Sequence, residues 1–260
     1  MKQKLYRSFI ELTNGPFTAN LIKKFTHSNL SRRLIKSYAT FYGINLEEMQ
    51  GDIHSYENLH LFFTRKIKEH SRVIDPHPTS IISPVDGVLE DVGTIHANSL
   101  IYVKNKSYSI TEMLGASDRA AKYAEGTYMI LYLSPAHYHR IHSPVDAKII
   151  NRYSLGARSY PVNRLGLKYG DATLSKNFRT ISELECAGKS IAMVKVGAMF
   201  INSVEIINQN EEWEKGEEVA YFSFGSTVVL LFEKNTFQLN GTLSVPSEVK
   251  VGEALGMMNS

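Results

Sequence analysis

The tetrapeptide Ser-Pro-Val-Asp occurs twice in the 260 residues, at 83–86 and again at 143–146. Ile81-Ile82 precedes the first copy and Val88-Leu89 follows it; Ile141 precedes the second and Ile149-Ile150 follows it. A proline-led turn between two short apolar runs reads as strand, turn, strand. Its recurrence predicts a duplicated β-unit that faces itself across a core. The expected fold is α+β: a mainly antiparallel β core, a flattened barrel or sandwich, with amphipathic helices ahead of it. Similar proline-led turns occur in the flattened barrels of biotinyl and lipoyl carriers, but no Met-Lys follows here, which argues against a carrier role.

Charge divides the chain. Eight Lys and Arg against Glu11 alone give residues 1–42 a charge of +7; with +3 overall, the remainder carries −4. This basic head also has helical apolar spacing, with Leu5, Phe9 and Leu12, then Leu21, Ile22 and Phe25, then Leu34, Ile35, Tyr38 and Phe41 on successive faces. A third helix is expected from about Arg32 to Tyr42, and more helix over 45–70. Basic amphipathic helices with aromatic residues suit an anionic membrane surface; equally, their apolar faces could pack on the body. Nucleic acid is disfavoured as a partner because no recognition motif accompanies the charge. No run approaches the roughly 18 apolar residues of a spanning helix, and Met1 to Thr13 lacks the apolar core of a signal peptide. Asp75-Pro76-His77-Pro78 is a rigid extended break. It is the expected boundary between a helical head, 1–75, and a β-rich body, 76–260. The single cysteine, Cys186, excludes an internal disulfide.

Within the body, Tyr128 to Leu133 and Val228 to Phe232 read as buried strands, residues 151–180 as a long polar loop, and Asn240-Gly241 as a hairpin signal. Four features could carry chemistry. Gly225-Ser226 lies between two strands; such a dipeptide is ordinarily only a turn, and it does not fit the Gly-x-Ser-x-Gly elbow of hydrolases. His137, His139 and His142 fall within six residues and read as a solvated loop, metal ligands or catalytic groups. Asp86 precedes Gly87, an ordinary turn pair. Tyr160-Pro161-Val162-Asn163 reads as a substrate loop or a turn. Taken together, an Asp, a His and a Ser could form a triad in which the carboxylate orients the imidazole and the imidazole takes the serine proton.

These residues have a recognisable company: Phe62-Phe63-Thr64-Arg65, Ser83 to Gly87, Tyr132-Leu133-Ser134-Pro135 with Tyr138 to His142, Pro161-Val162-Asn163, Asn177-Phe178-Arg179, Val196-Gly197-Ala198, and Phe222-Ser223-Phe224-Gly225-Ser226-Thr227. From about Leu61 to the C-terminus the chain resembles the bacterial phosphatidylserine decarboxylases, which are pyruvoyl-dependent. Phe224 stands where that family commonly has leucine; the apolar anchor and Gly225-Ser226-Thr227 are kept. The resemblance implies self-cleavage between Gly225 and Ser226, with Asp86 and His142 activating Ser226, and conversion of Ser226 to a covalent pyruvoyl group. It implies that the amine of phosphatidylserine forms a Schiff base with that group, that carbon dioxide leaves, and that His139 returns the proton. It also implies a partnership of the chain's own fragments, 1–225 and 226–260, with a homodimer of these left open. The location implied is the cytoplasmic face of an anionic cell membrane, and no metal is implied. Two other readings stay open on residues alone: a metal-dependent hydrolase built on His137, His139, His142 and Asp86, and a non-catalytic β-barrel binding module.

Overall fold

A computed structural model describes residues 16–157, 160–162, 171–197, 204–223 and 226–259. Among the described residues the N-terminal part holds three helices, α1 (Pro16–Thr26), α2 (Ile35–Tyr42) and α3 (Leu59–Phe63), with 3-10 turns at Asn29–Leu34 and Ile53–Ser55. The helix expected from Arg32 therefore begins at Ile35, and most of the helix expected over 45–70 is absent. Gly51 takes a left-handed φ of 80°, and Gln50 N–H donates to Lys66 O while Lys68 N–H donates to Glu48 O. The segment folds back on itself, and only after Asn58, whose side chain caps Leu61 N–H at 2.9 Å, does a helix start. Ile35, Ala39, Ile44, Met49, Leu59 and Phe62 form a small core of their own.

Sixteen strands follow among the described residues: β1 (Ser80–Ile82), β2 (Gly87–Thr94), β3 (Leu100–Val103), β4 (Lys106–Ser109), β5 (Thr127–Leu133), β6 (Arg140–His142), β7 (Ala147–Leu155), β8 (Arg179–Cys186), β9 (Lys189–Gly197), β10 (Val204–Ile206), β11 (Glu212–Trp213), β12 (Glu218–Phe222), β13 (Ser226–Phe232), β14 (Phe237–Leu239), β15 (Ser247–Val249) and β16 (Ala254–Met258). Eight form one sheet in the order β11-β7-β8-β9-β13-β5-β2-β15, and two three-stranded sheets run β1-β16-β14 and β10-β12-β6. Their pairings are antiparallel. The architecture is a sandwich of open sheets; among the described strands none closes into a barrel. Short helices α4 (Ile110–Leu114), α5 (Ser117–Ala121) and α6 (Thr173–Lys176) complete it.

The apolar run 228–232 becomes the central strand, buried on both faces. Val228, Leu230 and Phe232 join a core that includes the two small sheets, while Val229 and Leu231 join a second core with Ile110, Met113 and Tyr123. An antiparallel strand with an apolar side chain at every position needs such double cover. Each of those side chains gains roughly 1.5–3 kcal/mol from leaving water.

The repeated turn is repeated in space. Ser83 Oγ donates to Val85 O at 2.6 Å and Ser143 Oγ to Val145 O at 2.7 Å. His142 N–H donates to Pro84 O and, reciprocally, Ile82 N–H to Pro144 O. Asp86 Oδ1 accepts Val251 N–H, and Asp146 Oδ1 accepts Lys215 N–H; the residues that follow, Gly252 and Gly216, both have positive φ. The large sheet reads alike from both ends, β11-β7-β8-β9 matching β15-β2-β5-β13. One unit, β6 to β12, is continuous and is inserted into the other, which breaks off after β5 and resumes at β13. The junction at 225–226 is where the chain crosses back.

Two sequence expectations fail here. Residues 151–180 are not one long loop, since β7 runs to Leu155 and β8 starts at Arg179; the alternation of β7 was masked because most of its side chains are only half-buried or exposed. Asn240-Gly241 does not make a hairpin, because β14 pairs with β16 and β15 joins the large sheet.

Candidate active site

Ser226 opens β13, paired with Leu133 on one side and Gly197 on the other. Period-two alternation places its side chain on the face of Val228 and Leu230. It is fully buried, and its Oγ has no hydrogen-bond partner among the described residues; the same holds for Thr227 Oγ1. An unmet buried hydroxyl costs about 1–3 kcal/mol and calls for an explanation. Gly225 and Phe224, the other half of the expected cut, lie outside the described residues, as do Asn163 and Met199.

The histidine cluster lies alongside. His139 O accepts the N–H of Phe222, the last residue of β12. The His139 ring is sealed from solvent, its Nδ1–H donates to His137 O at 2.8 Å, and its Nε2 has no partner among the described residues. Burial, then the nearby Arg65 and His137, hold its pKa well below the ordinary histidine value, so the ring is neutral. Phe63 covers it, ring centroids 3.9 Å apart. Arg65 ties down the same loop through Ala136 O and His137 O, and Arg140 Nε donates to Thr64 O. The Phe62-Phe63-Thr64-Arg65 motif thus buttresses the histidine loop.

His142 donates Nδ1–H to Gly216 O at 2.7 Å, and its Nε2 meets Tyr138 Oη at 3.2 Å. Burial lowers its pKa, and the Gly216 carbonyl, Glu218 and Asp86 partly oppose that. Asp86 is close enough to act electrostatically on His142, but its carboxylate is bonded elsewhere. Arg72 grips both oxygens, Nε to Oδ1 at 2.9 Å and Nη2 to Oδ2, while Val251 N–H fills a further position on Oδ1. Glu48 shares Arg72 Nη2 with Asp86, accepting from it at 2.7 Å, and also reaches Lys250. These residues border a cavity of about 200 Å³ lined by Arg65, Arg72, Asp86, His137, Tyr138 and Lys250 among others.

The structure therefore brings His139 beside the strand that leads to Ser226, and sets Asp86 near His142 without a hydrogen bond between them. His137 turns away, its Nε2 against Glu248 at 3.1 Å. No group of three His, Cys, Asp or Glu is placed to hold a metal ion among the described residues.

Sequence reasoning missed Tyr138 and Arg72 as partners of His142 and Asp86. Tyr138 sat inside a cluster already singled out; Arg72 is an isolated cation in the sequence and carried no signal. Asn177 belongs to a motif whose purpose is now visible. It accepts Tyr160 N–H and donates to Tyr160 O and Gly197 O, so it fastens the 160–162 segment to the strand partner of Ser226. Arg179 supports it from behind, donating to Asn177 O, Met113 O and Glu112 O.

A family model described as phosphatidylserine decarboxylase matches residues 59–257, a span that contains Asp86, His139, His142 and Ser226. The chain belongs to the phosphatidylserine decarboxylase family. It is 54% identical over 258 residues to the phosphatidylserine decarboxylase proenzyme of Anoxybacillus flavithermus, covering 99% of this chain and 97% of that one. The proenzyme of a Geobacillus species is likewise 54% identical, with 99% and 100% covered. That of Bacillus cereus is 50% identical over 255 residues, with 98% and 97% covered. The matches take in the N-terminal part as well as the β-rich part.

Proposed function

We propose that the chain converts phosphatidylserine to phosphatidylethanolamine and carbon dioxide, after cutting itself between Gly225 and Ser226 and turning Ser226 into a pyruvoyl group. Family membership supports this reading, and one structural observation carries it to a residue: Ser226 Oγ is sealed and, among the described residues, unpartnered at the head of the central strand. In the cut, Oγ attacks the Gly225 carbonyl carbon and the amide becomes an ester. Elimination then frees a carboxylate at residue 225 and leaves residue 226 as dehydroalanine, which takes up water and loses ammonia. A pyruvoyl group lacks the serine Oγ and needs no more room than Ser226 does, so the buried site fits it. Once formed, it supplies an electron sink that no standard side chain offers.

Asp86 and His142 are assigned to take the Oγ proton, with Tyr138 aligning the His142 ring. His139 is assigned to the decarboxylation: its Nδ1–H is committed to His137 O, so Nε2 is the atom that moves a proton. A second reading has an observation of its own. His142 Nε2 is engaged by Tyr138, whereas His139 Nε2 has no partner among the described residues, which would give His139 the cut as well.

The fragments 1–225 and 226–260 remain one particle in this proposal, because β13 is registered over seven residues with both β5 and β9. The segment 1–75 is assigned to a peripheral contact with anionic lipid on the cytoplasmic side. Leu21, Phe25, Leu30, Leu34 and Phe41 are exposed there among Lys23, Lys24, Arg32, Arg33 and Lys36, and no described helix is long and apolar enough to cross a membrane.

The test is denaturing electrophoresis with intact mass. The wild-type chain should give two fragments, the smaller one blocked at its N-terminus, and Ser226→Ala a single chain. An uncut wild-type protein would sink the proposal. His142→Ala and Asp86→Ala should stay uncut, and His139→Ala should be cut but decarboxylate poorly; an uncut His139→Ala would move the base to His139.

A further inference from the structure

Arg65 is only 4% exposed. Its Nη2 donates to Ala136 O and His137 O, and its Nη1 is buried with no hydrogen-bond partner among the described residues. The carboxylate that acts on it, Asp86, is already gripped by Arg72. Burying a guanidinium without a counter-charge costs several kcal/mol. Arg65 also forms part of the wall of the cavity of about 200 Å³. Three cations, Arg65, Arg72 and Lys250, face two carboxylates there, Glu48 and Asp86. Arg72 engages both carboxylates, and Lys250 shares Glu48, so the surplus positive charge falls to Arg65. His137, in the same wall, turns its Nε2 to Glu248. Arg65, Asp86 and Tyr138 are buried and form the floor, whereas Gly43, Asn45 and Lys250 are exposed and form the mouth. The cavity is built for one negative charge entering from the side of α2.

A second hollow, of about 390 Å³, adjoins it. Gly43 lines both, and a Cβ at this residue would meet nothing within 4 Å, so no side chain walls one off from the other. The second hollow is apolar, with Ala39, Ile44, Leu46 and Ile53 along it and Lys36 at its rim. A cationic cavity that runs into an apolar groove matches an amphiphile with a singly charged head. A phosphodiester carrying acyl chains has that form.

We propose that these joined hollows bind a monoanionic phospholipid other than the reacting one, its phosphodiester against Arg65 and Lys250 and an acyl chain along Ala39 to Ile53. Register keeps this site apart from Ser226. β13 pairs with β5 and β5 with β2, so two strand spacings, about 9.5 Å, separate Ser226 from Gly87, the neighbour of Asp86 in the cavity floor. In phosphatidylserine four bonds separate the amine nitrogen from phosphorus, about 5 Å when extended. A substrate joined through its amine at residue 226 leaves the cavity to a second lipid. The two sites are nevertheless linked, because Arg65 holds His137 O, the acceptor of His139 Nδ1–H. The binding does not depend on Ser226 being the reacting residue; its effect on turnover does.

The test titrates dihexanoyl phosphatidylglycerol, below its micellar concentration, calorimetrically into the purified protein; this lipid has no amine to react at residue 226. It should bind the wild type, and Arg65→Met should weaken it about tenfold or more through loss of a charge-assisted contact. Lys250→Glu, at the exposed mouth, should do the same and serves if Arg65→Met does not fold. Leu46→Asn should weaken the lipid about threefold and leave glycerophosphoglycerol, the same headgroup without acyl chains, within about twofold. With short-chain phosphatidylserine as substrate, phosphatidylglycerol should change kcat, and Arg65→Met or Lys250→Glu should abolish the response. No binding by the wild type, or affinities within about twofold of it for the charge variants, would overturn the assignment. So would a rise in KM alone, which puts phosphatidylglycerol in the reacting site. A wild-type chain that is neither cut nor active would overturn the reading of Ser226 instead, and the titrations would still decide this one.

Discussion

Replacing Lys195 by methionine should make the protein more stable at neutral pH, although it removes a hydrogen bond. Burial pushes the Lys195 ammonium from the ordinary 10.5 down to about 7, and Arg152 adds to that. The energy equivalent is on the order of 5 kcal/mol against the native state at and below pH 7. The lost bond to Ser182 Oγ offsets about 1–3 kcal/mol of this, which leaves a net gain of about 2–4 kcal/mol for methionine. The sign with pH follows from proton counts. Between about 7 and 10.5 the unfolded chain holds a proton at residue 195 that the native chain has released. Wild-type stability therefore rises with pH through that window, by up to about 1.4 kcal/mol per pH unit, and the variant has no such term. The difference between them is largest at and below pH 7 and closes towards pH 10. Urea unfolding of Ser226→Ala and of Ser226→Ala with Lys195→Met, from pH 6 to pH 9, reads this with the chain in one piece. A gap that stays constant over that range, or a lysine form that is the more stable at pH 7, would refute the reasoning.

Arg72→Met leaves the buried Asp86 carboxylate without its counter-ion; thermal unfolding should show a loss of about 3–5 kcal/mol, and the cut should slow if Asp86 orients His142. Because burial holds His139 neutral well below the ordinary histidine range, lowering the pH from 7.5 to 6 should leave single-turnover decarboxylation at saturating substrate flat, where a solvent-exposed histidine that donates the proton would give a rate rising towards pH 6. Once cut, fragments 1–225 and 226–260 should co-elute under native conditions and part only in denaturant, since β13 lies between β5 and β9 with Val228 to Phe232 fully buried; fragments that separate on a sizing column would contradict that.

The repeated Ser-Pro-Val-Asp and the apolar run 228–232 were legible from residue order because turns and buried strands are local patterns: a proline and an aspartate place a turn, and five consecutive apolar side chains leave no solvent face. The candidate residues Asp86, His139, His142 and Ser226 were legible too, but only as a spaced set, since each alone reads as a turn or a loop. Helix 45–70 and loop 151–180 were misread for one reason. A backbone folding back across Met49 and Ile67, or a strand whose outward face is half-buried by its neighbours, leaves no period in the sequence. Register is where residue order stops. Nothing in the sequence says that Lys195 stands diagonal to Ser226, that Arg72 closes on Asp86, or that Asn177 fastens the 160 segment to Gly197. Those pairings join residues 14 to 31 positions apart, and the one between Lys195 and Ser226 exists only because the inserted unit pairs with the unit it interrupts. Local chemistry picked out the candidate residues of this protein; the pairing of β9 with β13 decided which side chains flank Ser226.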